Sequence, residues 1–254
     1  MLYCLRYTFS YMTEQLRKVD IHHIEVLDES YHTLNCRRIK IIKKISQSRG
    51  LNLTVHAPFV DVNIASPNSS FRRMVLKRLK KSINLANQLD AALWVFHSGL
   101  RTGVSHLHPG EDWKLNLHSI RELLDAADEN GVKITIENTP EPFPFILKSV
   151  DDFLHFYKDI GNVDLGLTLD IGHANVNGQI YNFIEKFSDR LIHVHASDND
   201  GTFDSHQGIG EGDIDWRNVA ESLKNVNYRG VIVVESERKV EESIQTLRKF
   251  FSAM

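Results

Sequence analysis

Six short apolar segments each carry a histidine or a carboxylate close to their C-terminal end. Within each segment, large aliphatic or aromatic residues alternate with other residues, and the ionisable group belongs to the second set. Carboxylates gathered without counterions are costly, whereas a divalent cation accepts both carboxylate and neutral imidazole ligands. The residue types therefore predict a site for Mn, Mg, Co or Zn, with ligands drawn from His56, His97, Glu137, Asp170, His195 and Glu235.

Three further candidate ligands follow two of these segments. His173 lies three residues after Asp170, and Asp204 and His206 lie in the stretch after His195. Carboxylate-rich ligation suits Mg, Mn or Co, while added histidines suit Zn. The residue types leave open which ion binds and how many ions bind.

The six segments belong to a longer series in which strand and helix patterns alternate. Helical periodicity is expected at residues 36–48, 68–89, 113–129, 150–159, 178–187, 215–225 and 239–251, and more weakly at 11–20. Eight strand-like runs separate these helices, at residues 2–8, 22–27, 51–58, 92–99, 133–139, 165–172, 191–198 and 230–237.

Strict alternation indicates parallel strands joined by right-handed crossovers. Eight repeats within 254 residues favour a closed (βα)₈ TIM barrel that forms one domain over residues 1–254. In such a barrel the C-terminal ends of the strands meet at one face, which predicts that the six ionisable side chains converge there.

The composition indicates a globular protein and argues against several functional classes. Hydrophobic residues make up 42% of the chain, and the formal net charge is −3, so the totals do not favour nucleic-acid binding. Neither a bilayer-spanning apolar stretch nor a secretory signal pattern is present, and Cys4 and Cys36 form no metal-binding or redox motif. We expect a cytoplasmic protein that does not associate with a membrane.

Several motifs resemble those of the xylose-isomerase-like barrel superfamily, which includes sugar (phosphate) isomerases and epimerases as well as endonuclease IV. The motifs lie between residues 51 and 237 and read HAPFVDVNIASP, VFHSG, TIENTP, LDIGHAN, HVHASDND, DSHQGIGEGDIDW and VVES. They are specific for the superfamily and much less specific for one of its members.

The isomerase and epimerase branch implies one metal ion held by Glu137, Asp170, His195 and Glu235. Glu137 and Glu235 would then exchange a proton at the carbon beside the substrate carbonyl, with Lewis-acid stabilisation of the enediolate. In this branch His173 and Asn138 would contact substrate hydroxyls. The expected partner is a sugar or a sugar phosphate, and a homo-oligomer is considered because barrels of this kind often pair.

The endonuclease IV branch implies three zinc ions and abasic-site DNA as substrate. This sequence matches each of the nine ligands, at His56, His97, Glu137, Asp170, His173, His195, Asp204, His206 and Glu235. It departs from that branch at Phe59, where tyrosine is usual, at Ser98, where proline is usual, and in DSHQGIG, which lacks an arginine. The GEGDIDW segment is common among isomerase-like members. The sequence therefore favours an isomerase or epimerase, with a zinc phosphodiesterase as the alternative and a non-catalytic sugar-binding barrel as a third class.

Two other patterns have less specific interpretations. The basic run on the helix predicted at residues 68–89 indicates a solvated helix face rather than a polyanion site, and comprises Arg72, Arg73, Lys77, Arg78, Lys80 and Lys81. The glycines of the GIGEG stretch, residues 208–212, offer backbone N–H groups to a substrate phosphate, although a flexible loop is an equally good interpretation. His106 and His108 are expected to face solvent.

Overall fold

A computed structural model describes residues 5–252 of the chain, in which strands and helices alternate. Within that range the strands are β1 (His23–Leu27), β2 (Asn52–His56), β3 (Leu93–His97), β4 (Ile134–Glu137), β5 (Gly166–Asp170), β6 (Leu191–Ala196) and β7 (Val231–Val234). The helices are α1 (Phe9–Leu16), α2 (Cys36–Arg49), α3 (Ser69–Gln88), α4 (Glu111–Asn130), α5 (Val150–Ile160), α6 (Ile171–Val176), α7 (Ile180–Lys186), α8 (Trp216–Asn225) and α9 (Val240–Ser252). Short 3₁₀ helices occupy Ser30–His32 and Gly103–His106.

Seven of the eight predicted strand runs contain a strand, and the run at residues 2–8 is the exception. Residues 2–4 lie outside the described residues, and residues 5–8 form no strand. The Thr8 hydroxyl instead accepts a hydrogen bond from the Tyr11 backbone N–H at 3.3 Å, which caps the N-terminus of α1.

The described chain divides within β4 into two compact units, one ending at Thr135 and the other beginning at Ile136. In the first unit the strand order is β1-β2-β3-β4, and the pairs β1–β2 and β2–β3 are parallel. Its core includes Trp94, which is fully buried and donates through Nε1 to the hydroxyl of Ser82 on α3 at 3.1 Å. The predicted single domain stays a prediction.

In the second unit the strand order is β4-β5-β6-β7, and the pairs β5–β6 and β6–β7 are parallel. The β5–β6 register places Asp170 directly beside His195. Phe153, Phe156 and Phe183 are fully buried and pack the helices of this unit together. The strands of this unit thus place their last residues side by side.

Helix boundaries follow from local capping chemistry. Asn35 accepts hydrogen bonds from the first backbone N–H groups of α2, and Ser149 forms a reciprocal capping box with Asp152 at the start of α5. Helix α4 ends at Gly131, whose φ of 63° is a left-handed conformation that glycine adopts without strain. None of the helices described has both the length and the apolar run that a bilayer crossing requires.

Candidate active site

Four side chains of the second unit bring their ligand atoms within 4.8 Å of one another: Glu137, Asp170, His195 and Glu235. All four are buried, with Glu235 the most exposed at 3%. His195 Nδ1 lies 3.2 Å from Glu137 Oε1 and 3.3 Å from Glu235 Oε1. The structure thus brings together the four residues that sequence analysis predicted as ligands of one metal ion.

The strands of the second unit explain why these groups meet. Glu137 and Asp170 are the final residues of β4 and β5, and His195 is the penultimate residue of β6. Glu235 directly follows β7, and its backbone N–H donates to the Ala196 carbonyl at 2.9 Å, which extends the β6–β7 pairing to this residue. Neighbouring strands that end together therefore present three carboxylates and one imidazole at one edge of the sheet.

The electrostatics of this cluster fit a divalent cation. Burial raises the pKa of Asp170 to about 7, with His173 opposing the shift and the Glu137 and Glu235 carboxylates adding to it. Asp170 Oδ2 is buried, and no donor among residues 5–252 forms a hydrogen bond with it. A buried carboxylate oxygen of this kind, beside two further carboxylates, has the donor chemistry of a Mn, Mg, Co or Zn ligand.

Asn138 supports this cluster through the main chain of Asp170. Its side-chain carbonyl accepts from the Asp170 N–H at 2.7 Å, and its amide group donates to the Asp170 carbonyl at 3.1 Å. Asn138 is fully buried, and its amide links the end of β4 to the end of β5. The substrate contact anticipated for Asn138 stays a prediction, while the structure gives its side chain this positioning role.

A second cluster joins His173, Asp204 and His206. Asp204 Oδ2 lies 3.2 Å from His173 Nε2 and 2.9 Å from His206 Nε2, so one carboxylate oxygen bridges two imidazoles. His173 Nδ1 faces the Asn138 carbonyl at 2.8 Å and lies 3.5 Å from Glu137 Oε1. This second contact connects the bridge to the four-residue cluster.

The charges in this bridge are strongly coupled. Burial lowers the pKa of His173, but the Asp170 and Asp204 carboxylates outweigh burial and hold it well above its ordinary value. Burial likewise opposes charge on His206, and its hydrogen bond with Asp204 raises its pKa. Burial raises the pKa of Asp204, but the hydrogen bonds from His173 and His206 outweigh burial and hold this pKa below its ordinary value. Without a bound cation, these pKa shifts favour an ionised Asp204 carboxylate and protonated imidazoles in the bridge.

His56 and His97 are brought together in the first unit, at the ends of β2 and β3. Their ring centroids are 5.0 Å apart, and Phe59 lies 5.6 Å from the His56 ring. His56 Nδ1 faces the Ala57 carbonyl at 2.8 Å, and because a carbonyl only accepts, Nδ1 is the donor. In the neutral ring Nε2 then carries the lone pair, which is the tautomer suited to metal ligation.

Asp198 organises the loop between β6 and α8, a role that sequence analysis did not predict. Oδ1 accepts from the backbone N–H groups of Asn199 at 3.0 Å and Ile214 at 3.3 Å. Oδ2 accepts from the Gly210 N–H at 2.7 Å and the indole N–H of Trp216 at 2.9 Å. The available signal was an acidic residue two positions after β6, followed by a glycine-rich loop whose backbone N–H groups require acceptors.

The GIGEG stretch is not a free phosphate cradle. The Gly210 N–H is bound by Asp198, and the Gly208 N–H donates to Glu211 Oε2 at 3.1 Å. The Ile209 N–H donates to the Ser243 hydroxyl at 3.0 Å. The phosphate interpretation of this loop is therefore wrong, because carboxylates and a hydroxyl already accept from these backbone N–H groups.

The basic run on α3 is less solvated than the sequence suggested. Arg78 places both of its terminal nitrogens 2.8 Å from the carboxylate of Asp28, which is fully buried. Lys80 pairs with Glu122 at 2.6 Å, whereas Lys77 is exposed. The position of Asp28 at the end of β1 explains why Arg78 turns inward. His106 and His108 are exposed, as expected.

Residues 14–252 match the family described as "Xylose isomerase-like TIM barrel". The chain belongs to this family. The predicted α/β fold, a TIM barrel of parallel strands alternating with helices, is thereby confirmed. The family includes more than one activity, so the individual relatives are informative.

Three relatives illustrate the range of this family. The crystal structure of a D-tagatose 3-epimerase-like protein is 31% identical, has a TM-score of 0.93, and is matched over 99% of this chain and 95% of that chain. D-psicose 3-epimerase of Ruminiclostridium cellulolyticum is 22% identical over 89% of this chain and 78% of its own length. A probable endonuclease 4 of Mycobacterium leprae is 27% identical over 81% of each chain. Similarity to named sugar epimerases supports the predicted class of enzyme.

Proposed function

We propose that this protein is a metal-dependent epimerase or isomerase of a sugar. The observation that carries this proposal is the convergence of four buried side chains whose ligand atoms lie within 4.8 Å of one another: Glu137, Asp170, His195 and Glu235. Two of the carboxylates flank one imidazole at 3.2 and 3.3 Å, so they face a common point from two different strands. That arrangement suits shared ligation of one cation, beside which the two carboxylates would exchange a proton with the substrate. The similarity to D-tagatose and D-psicose 3-epimerases supports a ketose as the substrate.

Glu137 and Glu235 are proposed as the acid/base pair. One carboxylate takes the proton from the carbon beside the substrate carbonyl, and the other, in its protonated form, returns a proton to the opposite face of that carbon. The carbon is inverted, and no electrons are gained or lost overall. A divalent cation bound by this cluster would supply Lewis-acid stabilisation of the negative charge that develops on the substrate oxygen.

His173 is proposed to bind a substrate hydroxyl beside this pair. It lies 3.5 Å from Glu137 and is only 6% exposed, and a substrate hydroxyl would share or replace the contact of its Nε2 with Asp204 at 3.2 Å. Asn138 has an indirect role, because its side-chain amide fixes the main chain of Asp170, a proposed metal ligand. Together these residues orient the substrate without taking its proton.

The experiment measures ketose epimerisation by Glu137→Gln and Glu235→Gln in deuterated water, and the products are separated by chromatography. Each variant should lose at least about a hundredfold in kcat, because positioned acid/base groups typically contribute that much. The wild-type product should carry solvent deuterium at the inverted carbon. Glu185→Gln is the matched control, because that glutamate on α7 is exposed. Full turnover by both active-site variants would refute the proton-exchange scheme.

A second candidate is a zinc phosphodiesterase of the endonuclease IV type. The specific observation in its favour is the bridge of His173, Asp204 and His206, a histidine-rich ligand set that a ketose epimerase with one cation does not need. Similarity to a probable endonuclease 4 adds to it. Incision of duplex DNA at an abasic site, lost in His206→Ala, would establish this activity, and no incision by zinc-loaded protein would exclude it.

A further inference from the structure

Helix α9 carries a buried hydroxyl on the face that packs against the rest of its unit. Ser243 is 1% exposed and Leu247, one turn later, is 6% exposed, whereas Glu241 and Glu242 are exposed. Residues four apart on a helix lie on the same face, so Ser243 occupies a position that packing alone would fill with an aliphatic side chain. A polar group buried there costs free energy unless it is hydrogen-bonded, which makes the partners of Ser243 informative.

The Ser243 hydroxyl joins two segments that are remote from each other in sequence. It accepts a hydrogen bond from the Ile209 backbone N–H at 3.0 Å, and it lies 3.4 Å from the hydroxyl of Ser236, which is fully buried. Ser236 directly follows Glu235, and Ile209 lies three residues after His206. One side chain of α9 therefore links the end of β7 to the loop after β6.

Further contacts link the same two segments. The Glu237 N–H donates to the His206 carbonyl at 3.0 Å, and Lys239 pairs with Glu211. His206 has a φ of 44°, a left-handed conformation that is uncommon for a residue other than glycine. Such a conformation persists only where the surrounding structure holds it, and the links to the segment after β7 are part of that support.

Both linked segments carry side chains of the proposed site. Glu235 Oε1 lies 3.3 Å from His195 Nδ1 in the four-residue cluster, and His206 Nε2 lies 2.9 Å from Asp204 Oδ2 in the bridge. Metal ligands must be held to within about 0.5 Å of the productive geometry, and the groups that support them set much of the affinity. A residue that ties down both segments can therefore strengthen cation binding without being a ligand.

We infer that Ser243 is a positioning residue that holds the Glu235 and His206 segments in place, and thereby strengthens the binding of a divalent cation by the four-residue cluster. Its link to Ile209 fixes the loop after β6, and its link to Ser236 fixes the residue next to Glu235. This inference rests on the proposed function and deepens it, because it gives a helix residue outside the cluster a part in cation binding.

The test uses the full chain after removal of metal, with Mn²⁺ alone as the probe. Free Mn²⁺ is followed by electron paramagnetic resonance during a titration, and hydrogen exchange of the metal-free protein is followed by mass spectrometry. The variants are Ser243→Ala, Ser243→Thr and Ser236→Ala. Ser82→Ala is the matched control, because Ser82 is also a buried helix serine that accepts from an N–H, that of the Trp94 indole at 3.1 Å.

Ser243→Ala should bind Mn²⁺ about tenfold more weakly than wild type, because groups that support metal ligands typically contribute at least that much. Its peptides that span residues 206–211 and 234–237 should exchange faster, since the Ile209 N–H loses its acceptor. Ser243→Thr should restore both properties because it keeps the hydroxyl.

Ser236→Ala separates the two links of Ser243. It retains the hydrogen bond from Ile209, so it should weaken Mn²⁺ binding while faster exchange is confined to residues 234–237. It also serves as the test if Ser243→Ala does not fold. Ser82→Ala should bind Mn²⁺ as wild type does.

The outcomes distinguish this inference from the proposed function. Mn²⁺ binding by wild type with the same affinity in Ser243→Ala and Ser236→Ala would overturn the positioning role and leave the proposed function standing. Equal weakening in Ser82→Ala would also overturn that role, because the effect would then follow from any lost buried hydrogen bond. Unchanged exchange in Ser243→Ala would show that the hydroxyl does not hold the two segments. Failure of the wild-type protein to bind Mn²⁺ would overturn the proposed metal dependence, and this inference with it.

Discussion

Replacing Asp198 by asparagine should be destabilising although it preserves the shape of the side chain. Each carboxylate oxygen accepts two N–H donors, from Asn199 and Ile214 on one side and from Gly210 and Trp216 on the other. An asparagine amide keeps one accepting oxygen and replaces the other with a group that only donates. Whichever way the amide turns, two N–H donors face a third donor and lose their acceptor.

The expected cost follows from those two lost acceptors. Each buried donor left without a partner costs about 1–3 kcal/mol, and the more exposed Gly210 falls at the low end, so the free energy of unfolding should drop by roughly 2–3 kcal/mol. For a chain of this size, that corresponds to a decrease in Tm of about 4–12 °C. Asp198→Ala should cost at least as much, because it leaves all four donors without the carboxylate.

Urea unfolding followed by circular dichroism and by tryptophan fluorescence measures this effect. Asp200→Asn is the matched control, because Asp200 is exposed and its carboxylate accepts hydrogen bonds from the backbone N–H and the hydroxyl of Thr202. That control should stay within about 0.5 kcal/mol of wild type. If Asp198→Asn were as stable as the control, the proposed role of Asp198 as the acceptor of four N–H hydrogen bonds would be refuted.

Two further predictions concern buried charge. Arg78→Ala should lower the free energy of unfolding by about 3 kcal/mol, because it leaves the fully buried Asp28 carboxylate without its guanidinium, whereas Lys77→Ala should be nearly neutral in the same urea titration. In metal-free protein, the raised pKa of His206 implies stability that is fully present below pH 6.5 and lost as pH rises through the folded-state pKa. The urea midpoint of the wild-type protein should therefore decrease as pH rises across that range, and the midpoint of Asp204→Asn should decrease less. An equal decrease in both proteins would contradict the coupling between His206 and Asp204.

The order of elements and the main cluster were accessible from sequence because both depend on local periodicity. Alternation within 133–139 and 165–172 places Glu137 and Asp170 at strand ends. The pairing of neighbouring strands then places these end residues side by side. Helix α6 was missed because its six residues are too short for a periodic signal. Its cue was capping: Asp170 accepts from the His173 N–H at 2.7 Å, three residues on.

Partners that are remote in sequence could not be read from local patterns. Arg78 and Asp28 are 50 residues apart, and nothing in the helical pattern of α3 distinguishes Arg78 from its solvated neighbours. The phosphate alternative for the GIGEG loop fails for the same reason, since a glycine pattern offers N–H groups but does not show which acceptors fold back onto them. The acceptors at Asp198 and Glu211 are properties of the tertiary structure.

The central claim is that Glu137, Asp170, His195 and Glu235 hold a divalent cation that serves sugar chemistry. Elemental analysis of protein purified without chelator or affinity-tag metal tests it most directly, with His195→Ala as the variant that should lose the ion. About one Mn, Co or Mg per chain, absent from His195→Ala, is the predicted result. About three Zn per chain would contradict the single-cation account and favour the phosphodiesterase instead.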